Sequence, residues 1–85
     1  MTRWIVTKHE GGLEADEWEL PGELREAEVE EIVRRLVCRS LSEDEIIHAS
    51  LPEDHSGRYV LLDRSDEPTM IQIGRNPYFI ARLVD

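Results

Sequence analysis

Residues 23–41 read ELREAEVEEIVRRLVCRSL, the one stretch of this chain with an unbroken helical apolar period. Val29, Ile32, Val33, Leu36 and Val37 recur at the i, i+3, i+4, i+7, i+8 spacing that lays one apolar stripe along an α-helix. The opposite face is charged. Glu23 and Glu26 fall in the expected first turn and Arg34, Arg35 and Arg39 near the end, the polarity the helix dipole favours. Glu30 with Arg34 and Glu31 with Arg35 are i, i+4 pairs in the favourable order, contributing about 0.2–0.5 kcal/mol each. No Ser, Thr, Asp or Asn precedes the helix, which leaves Gly22 as the expected N-cap. One amphipathic helix needs a partner surface, and the flanking segments read as the strands that supply it.

Upstream, residues 3–8, RWIVTK, form a short β-rich run that ends in a His9-Glu10-Gly11-Gly12 turn cluster. Residues 13–20, LEADEWEL, continue to Pro21-Gly22, so the N-terminal part reads as a β-hairpin with a Gly-Gly loop. Alternation puts Leu13, Ala15, Glu17 and Glu19 on one face and Glu14, Asp16, Trp18 and Leu20 on the other. Neither face is cleanly apolar, the pattern of an edge strand guarded by charge.

Downstream, Ser42-x-x-Glu45 matches a capping box and predicts a second, short helix from Glu43 to about Ser50, with a strand over IIHASL as the alternative. PEDHSG, residues 52–57, is a loop by composition. RYVLLD, TMIQIG and YFIARLV then read as three short runs of an antiparallel meander, with Val60, Leu62, Ile71, Ile73, Phe79, Ala81 and Leu83 facing inward. Asn76-Pro77 equally allows a C-terminal helix over 77–84. The expected architecture is a small single α+β domain over 1–85: an antiparallel β-sheet, built of the N-terminal hairpin and the C-terminal meander, packed by one long helix.

A chain of 85 residues buries only about 60% of its unfolded surface, so stability margins are thin. The single cysteine, Cys38, allows no internal disulfide, which suits a reducing cytoplasm. No run approaches the ~20 apolar residues that span a membrane, and no secretory leader is legible. The charge is concentrated. Between Glu10 and Glu31 ten acids face one base, Arg25, for −9; residues 1–9 add +2 and residues 32–85 add −2, which gives the net −9. Nucleic acid and anionic lipid both demand a basic footprint, so neither is expected as a direct partner. A basic protein surface is the natural one.

Catalytic chemistry finds little support. Asp54-His55-Ser56 are consecutive and cannot assemble the nucleophile–base–orienter geometry of a triad. No HxxxH, CxxC or HExxH spacing is present, so no metal and no cofactor are expected. Gly11-Gly12 precedes acids rather than the Lys-Ser/Thr of a phosphate loop. Cys38 lies on the helix flank opposite the apolar stripe, beside Arg34, Arg35 and Arg39; guanidinium groups there would lower its pKa, and a small hydrophobic contact is the competing reading. Trp18, ringed by Asp16, Glu17 and Glu19, has the composition of a contact patch, against the bland reading of a packing indole among solubilising carboxylates.

The sequence therefore points to a non-enzymatic acidic interaction module, of inhibitor, immunity or adaptor type, docking a basic protein partner through Glu14, Asp16, Glu17, Trp18 and Glu19. The alternative is a small homodimeric enzyme or anion-binding domain that uses His48, Cys38 or the Arg58, Arg64, Arg75 and Arg82 set. A homodimer paired through an exposed edge strand is a third possibility.

Overall fold

Gly11 and Gly12 both take positive φ, 57° and 83°, and turn the chain back on itself within the two residues between paired Glu10 and Leu13. A two-residue hairpin of this twist requires φ > 0 at both positions, which glycine adopts without steric cost. The computed structural model describes residues 2–85. The hairpin comprises β1 (Arg3–Glu10) and β2 (Leu13–Pro21), and α1 (Glu26–Cys38), α2 (Glu43–Ala49), β3 (Ile71–Gly74) and β4 (Tyr78–Val84) follow. The four strands make one antiparallel sheet in the order β2-β1-β4-β3. This is the expected α+β arrangement.

Helix α1 lies over β4 and β3. Its Val29, Val33 and Val37, spaced by four, are buried against Trp4 and Val6 of β1, Phe79 and Ala81 of β4, and Ile71 and Ile73 of β3. Leu20, Leu24, Leu36, Leu41 and Leu62 close the margins of this core. Because the helix covers the β3–β4 side, β2 projects beyond it, and every β2 side chain except that of Leu20 is exposed. Leu83, expected inward, shares a face with Trp4 and Leu20 but lies past the covered area and is 51% exposed.

The helix starts later than its periodicity suggests. Leu24 donates its N–H to the Pro21 carbonyl and accepts the Trp4 indole N–H at 3.1 Å, so residues 21–24 form a turn fastened to β1. Arg25 is the N-cap in place of Gly22, and the Glu28 carboxylate reaches back to accept its N–H at 2.9 Å. That backbone bond, with the Arg25 guanidinium, holds the Glu28 carboxyl below its ordinary value. Gly22 serves a different need: a Cβ there would stand 2.0 Å from the Thr2 carbonyl oxygen. At the other end Arg39, Ser40 and Leu41 tighten onto carbonyls three residues back, and α1 ends at Cys38 rather than Leu41.

Both ambiguous segments resolve. Ser42 Oγ accepts the Glu45 N–H and the Glu45 carboxylate accepts the Ser42 N–H, so the capping box makes α2 a helix and the IIHASL strand does not form. Residues 78–84 are a central strand and not a C-terminal helix: Phe79 and Ala81 are buried toward α1 while Ile80 is buried on the opposite face, which suits a strand paired on both sides.

RYVLLD, expected as the first strand of the meander, is instead irregular, and Val60 is 53% exposed. Long-range side-chain bonds outcompete the β-propensity of this run. Arg34 of α1 donates to the Leu62 carbonyl at 3.1 Å. Arg58 donates from Nε to the Leu51 carbonyl and grips the Asp63 carboxylate with both Nη nitrogens. Arg64 bridges to Glu26 and Glu30 of α1. The segment therefore wraps the β3 side of the domain, and at its end its backbone pairs with the sheet, through an Arg64–Ile73 bridge and a 2.9 Å bond from Ser65 N–H to the Gln72 carbonyl.

Candidate functional site

The five residues singled out from the sequence all lie on β2, at the outer edge of the sheet. Pairing with β1 decides where each one points. Asp16, Trp18 and Leu20 oppose Lys8, Val6 and Trp4 on the face that carries α1, while Glu17 and Glu19 oppose Thr7 and Ile5 on the uncovered face. A β-bulge interrupts the alternation between Lys8 and His9: Asp16 pairs with Lys8 and Glu14 with His9, leaving Ala15 as the extra residue. Glu14 therefore joins Glu17 and Glu19 on the uncovered face and Leu13 moves to the other. Simple alternation had placed Glu14 with Asp16 and Trp18. The bulge, invisible in the sequence, gathers three carboxylates into one stripe and separates them from Trp18.

The uncovered face beside this stripe is shallow and mixed in character. His9 stacks on Tyr78 with ring centroids 4.8 Å apart and its Nε2 lies 2.9 Å from Thr7 Oγ1. Thr7 and Ile80 are buried between their neighbours, although no helix covers them. Arg3 pairs with Glu19 at 3.2 Å, an ion pair open to solvent on both sides. On the opposite face Trp18 stacks on Phe79 and stays 37% exposed, so the indole is partly core and partly surface. A cleft of about 230 Å³ opens there, lined by Asp16, Trp18, Leu36, Arg39 and Phe79 among others.

A second feature was not legible as a group. Arg34, Arg35, Arg58 and Arg64 line a cavity of about 600 Å³ between α1, the end of α2 and the 51–64 segment. Two of these belong to the set Arg58, Arg64, Arg75 and Arg82; Arg75 lies instead beside the β3–β4 turn and Arg82 next to Met70. Each guanidinium in the cavity is already held by a carboxylate: Arg34 by Glu30, Arg35 by Glu31, Arg58 by Asp63, and Arg64 by Glu26 and Glu30. The Glu30–Arg34 and Glu31–Arg35 spacings were the sequence signals for this network. Cys38 lines the same cavity, and its thiol pKa is pushed up, first by burial and then by Glu31. The guanidinium groups do not activate it, and the small-hydrophobe reading is the one that fits.

His48 stacks on Tyr59 at 4.8 Å, with Nδ1 2.8 Å from the Asp44 carbonyl. His55 Nδ1 accepts the Gly57 N–H. No histidine is among the residues lining the cavity that holds Cys38. Among the described residues no group of three His, Cys, Asp or Glu side chains is placed to hold a metal ion, and no helix is long and apolar enough to cross a membrane. Comparison of the chain with protein-family models, with curated proteins and with solved structures found no match.

Proposed function

We propose that this protein is a non-enzymatic acidic binding module that docks a basic surface of a protein partner, in the manner of an inhibitor, an immunity protein or an adaptor. The observation that carries this reading is the position of β2: the most acidic strand forms an outer edge of the sheet, beside the strands that α1 covers, with Glu14, Asp16, Glu17 and Glu19 all exposed. Carboxylates so placed steer a cationic partner during encounter, and the partly exposed Trp18 indole on the other face of the same strand provides the anchor that charge alone lacks.

The arginines argue for the same division of labour. Where they cluster they are matched by carboxylates in place, whereas Glu14 and Glu17 have no ion pair among the described residues and Glu19 has only the exposed one with Arg3. Three of the four β2 carboxylates, Glu14, Asp16 and Glu17, are thus unmatched among the described residues and stand on one edge strand. The anion-binding alternative would use the arginine-lined cavity, where an anion must displace a carboxylate from each guanidinium it takes. Titration with inorganic phosphate tests it: shifts confined to the amides around Arg58 and Arg64 would favour this alternative.

The docking reading is tested by capturing basic proteins from a lysate of the source organism at low salt, then measuring association and dissociation of the purified partner. The double variant Glu17→Lys, Glu19→Lys should lower the association rate by about tenfold or more, with the loss shrinking as salt rises. Trp18→Ala should act on dissociation. Recovery of no salt-sensitive partner, or equal rates for both variants and the native chain, would overturn the proposal.

A further inference from the structure

Resting on the docking reading above, we infer that the partner is taken as an extended basic segment that adds to the free edge of β2 as a fifth strand of the four-stranded sheet. The backbone parity of the sheet identifies the groups that would receive it. Gln72 accepts a hydrogen bond from Ser65, which lies outside the sheet, so Gln72 turns its backbone groups away from β4 while Ile71 and Ile73 turn theirs toward it. Carried through the antiparallel registers, Phe79 and Ala81 face β3, Ile80 and Arg82 face β1, and Ile5 and Thr7 face β4. Trp4, Val6 and Lys8 are then left to bond with Leu20, Trp18 and Asp16. Glu17 and Glu19 are the β2 residues that direct N–H and C=O to the outside. The Glu17 N–H agrees, since its bond goes 2.9 Å to the Asp16 carboxylate and not to β1. Pro21 follows in the same parity, where a residue without an N–H costs the sheet nothing.

An edge of this kind templates another strand, and the side chains on it choose which. On the uncovered face an added strand sets alternate side chains beside Glu17 and Glu19, so those positions select Lys or Arg. Its intervening side chains fall on the α1 face beside Trp18 and its cleft of about 230 Å³, where an apolar residue would cover the exposed part of the indole. The recognised pattern is basic–apolar–basic over the length from Asp16 to Pro21, since the bulge at Ala15 ends the regular edge. A second copy of this chain does not fit. Two β2 edges paired antiparallel would set Glu17 and Glu19 of one against those of the other, carboxylate on carboxylate.

The test uses the intact chain and three peptides: an alternating Lys-Val-Lys-Val-Lys, a blocked Lys-Lys-Lys-Val-Val of equal charge, and the alternating peptide N-methylated at every second amide. Strand addition requires that the alternating peptide bind and that each of the others bind about tenfold or more weakly. It also requires that the Glu17 and Glu19 amides, and not those of Trp18 and Leu20, gain protection from hydrogen exchange. Glu19→Pro, which removes an outward N–H and no bond to β1, should abolish this, whereas Glu19→Gln should retain the N-methyl discrimination at lower affinity. Equal binding of all three peptides would overturn strand addition and leave charge-driven docking standing. Failure of the alternating peptide, with a native basic partner still bound, would do the same. Failure of peptides and partner alike would remove both, and dimerisation of the free protein through β2 would overturn the proposal in favour of self-pairing.

Discussion

At the β3 edge the chain covers its own backbone: Ser65 bonds to Gln72, Arg64 bridges to Ile73, and three arginines staple the wrapping segment to α1 and to itself. At the β2 edge no described strand pairs with the outer side; a bulge, a proline and four acidic side chains stand in for a neighbour. Both ends of one small sheet face the same difficulty of unpaired backbone groups, and they meet it by different means. Where charge is used internally it is matched carboxylate to guanidinium, and it builds structure. On β2 three of the four carboxylates have no ion pair among the described residues and face outward.

The sharpest way to break that comparison is to weaken each end by one side chain. Ile73, fully buried beneath α1 at the covered edge, should cost about 2–5 kcal/mol when cut to Ala, enough to unfold a domain of this size in part. Leu13→Ala, at the head of β2, removes a side chain that is 75% exposed and should leave stability within about 0.5 kcal/mol. Chemical denaturation of the two variants gives the measurement. Comparable losses would mean that β2 carries far more of the packing than its exposure indicates.

The uncovered end does have one tight point. Gly22 closes the β1–β2 hairpin against Thr2, and a methyl group 2.0 Å from the Thr2 carbonyl cannot be accommodated without moving backbone. Gly22→Ala should destabilise by about 1–3 kcal/mol, read as a fall in the unfolding midpoint. Gly11 and Gly12, with open space around their α-carbons, would respond through strain at positive φ instead.

What could be read from the sequence divides along the same line. The α1 stripe, the Ser42 capping box and the Gly-Gly turn are local signals, carried by residues within a turn or two of each other, and all three elements are present. RYVLLD failed because its fate depends on Arg34, twenty-eight residues before the Leu62 carbonyl it holds, and on an Arg58–Asp63 clasp that alternation does not register. The helix start failed because Trp4 fastens Leu24 from a distance. In the candidate site the acids and the indole were legible as composition, and their exposure at an edge was legible as pattern. The bulge that sorts Glu14, Glu17 and Glu19 from Asp16 and Trp18 was not, since it is a property of pairing and not of either strand alone.

Acid should distinguish the two ends. Bonding to Arg58, with further attraction from Arg34, holds the Asp63 carboxyl below its ordinary 3.8. A depressed carboxylate contributes stability that is present above its ordinary value and is lost as pH falls through the folded one. The cover over β3 should therefore loosen below about pH 4, seen as faster exchange of the Ser65 amide, which the Gln72 carbonyl otherwise protects. Asp63→Asn should exchange fast at neutral pH already and lose that acid dependence. A Ser65 amide indifferent to both changes would show that the Arg58–Asp63 clasp does not hold the cover in place.

The smallest effect on folding is expected where the largest effect on binding is. Glu17 and Glu19 point to solvent from the face of β2 turned away from α1, and the only ion pair at stake among the described residues, Arg3–Glu19, is exposed on both sides. Such pairs contribute about 0–1 kcal/mol, and reversing two charges in a region of strong negative excess relieves repulsion that offsets the loss. Glu17→Lys with Glu19→Lys should thus unfold within about 0.5 kcal/mol of the native chain. If so, loss of partner binding in that variant belongs to the surface and not to the fold. A marked fall in stability would instead assign these carboxylates a structural part, and the contrast between a charge-built edge and a charge-exposed one would no longer hold.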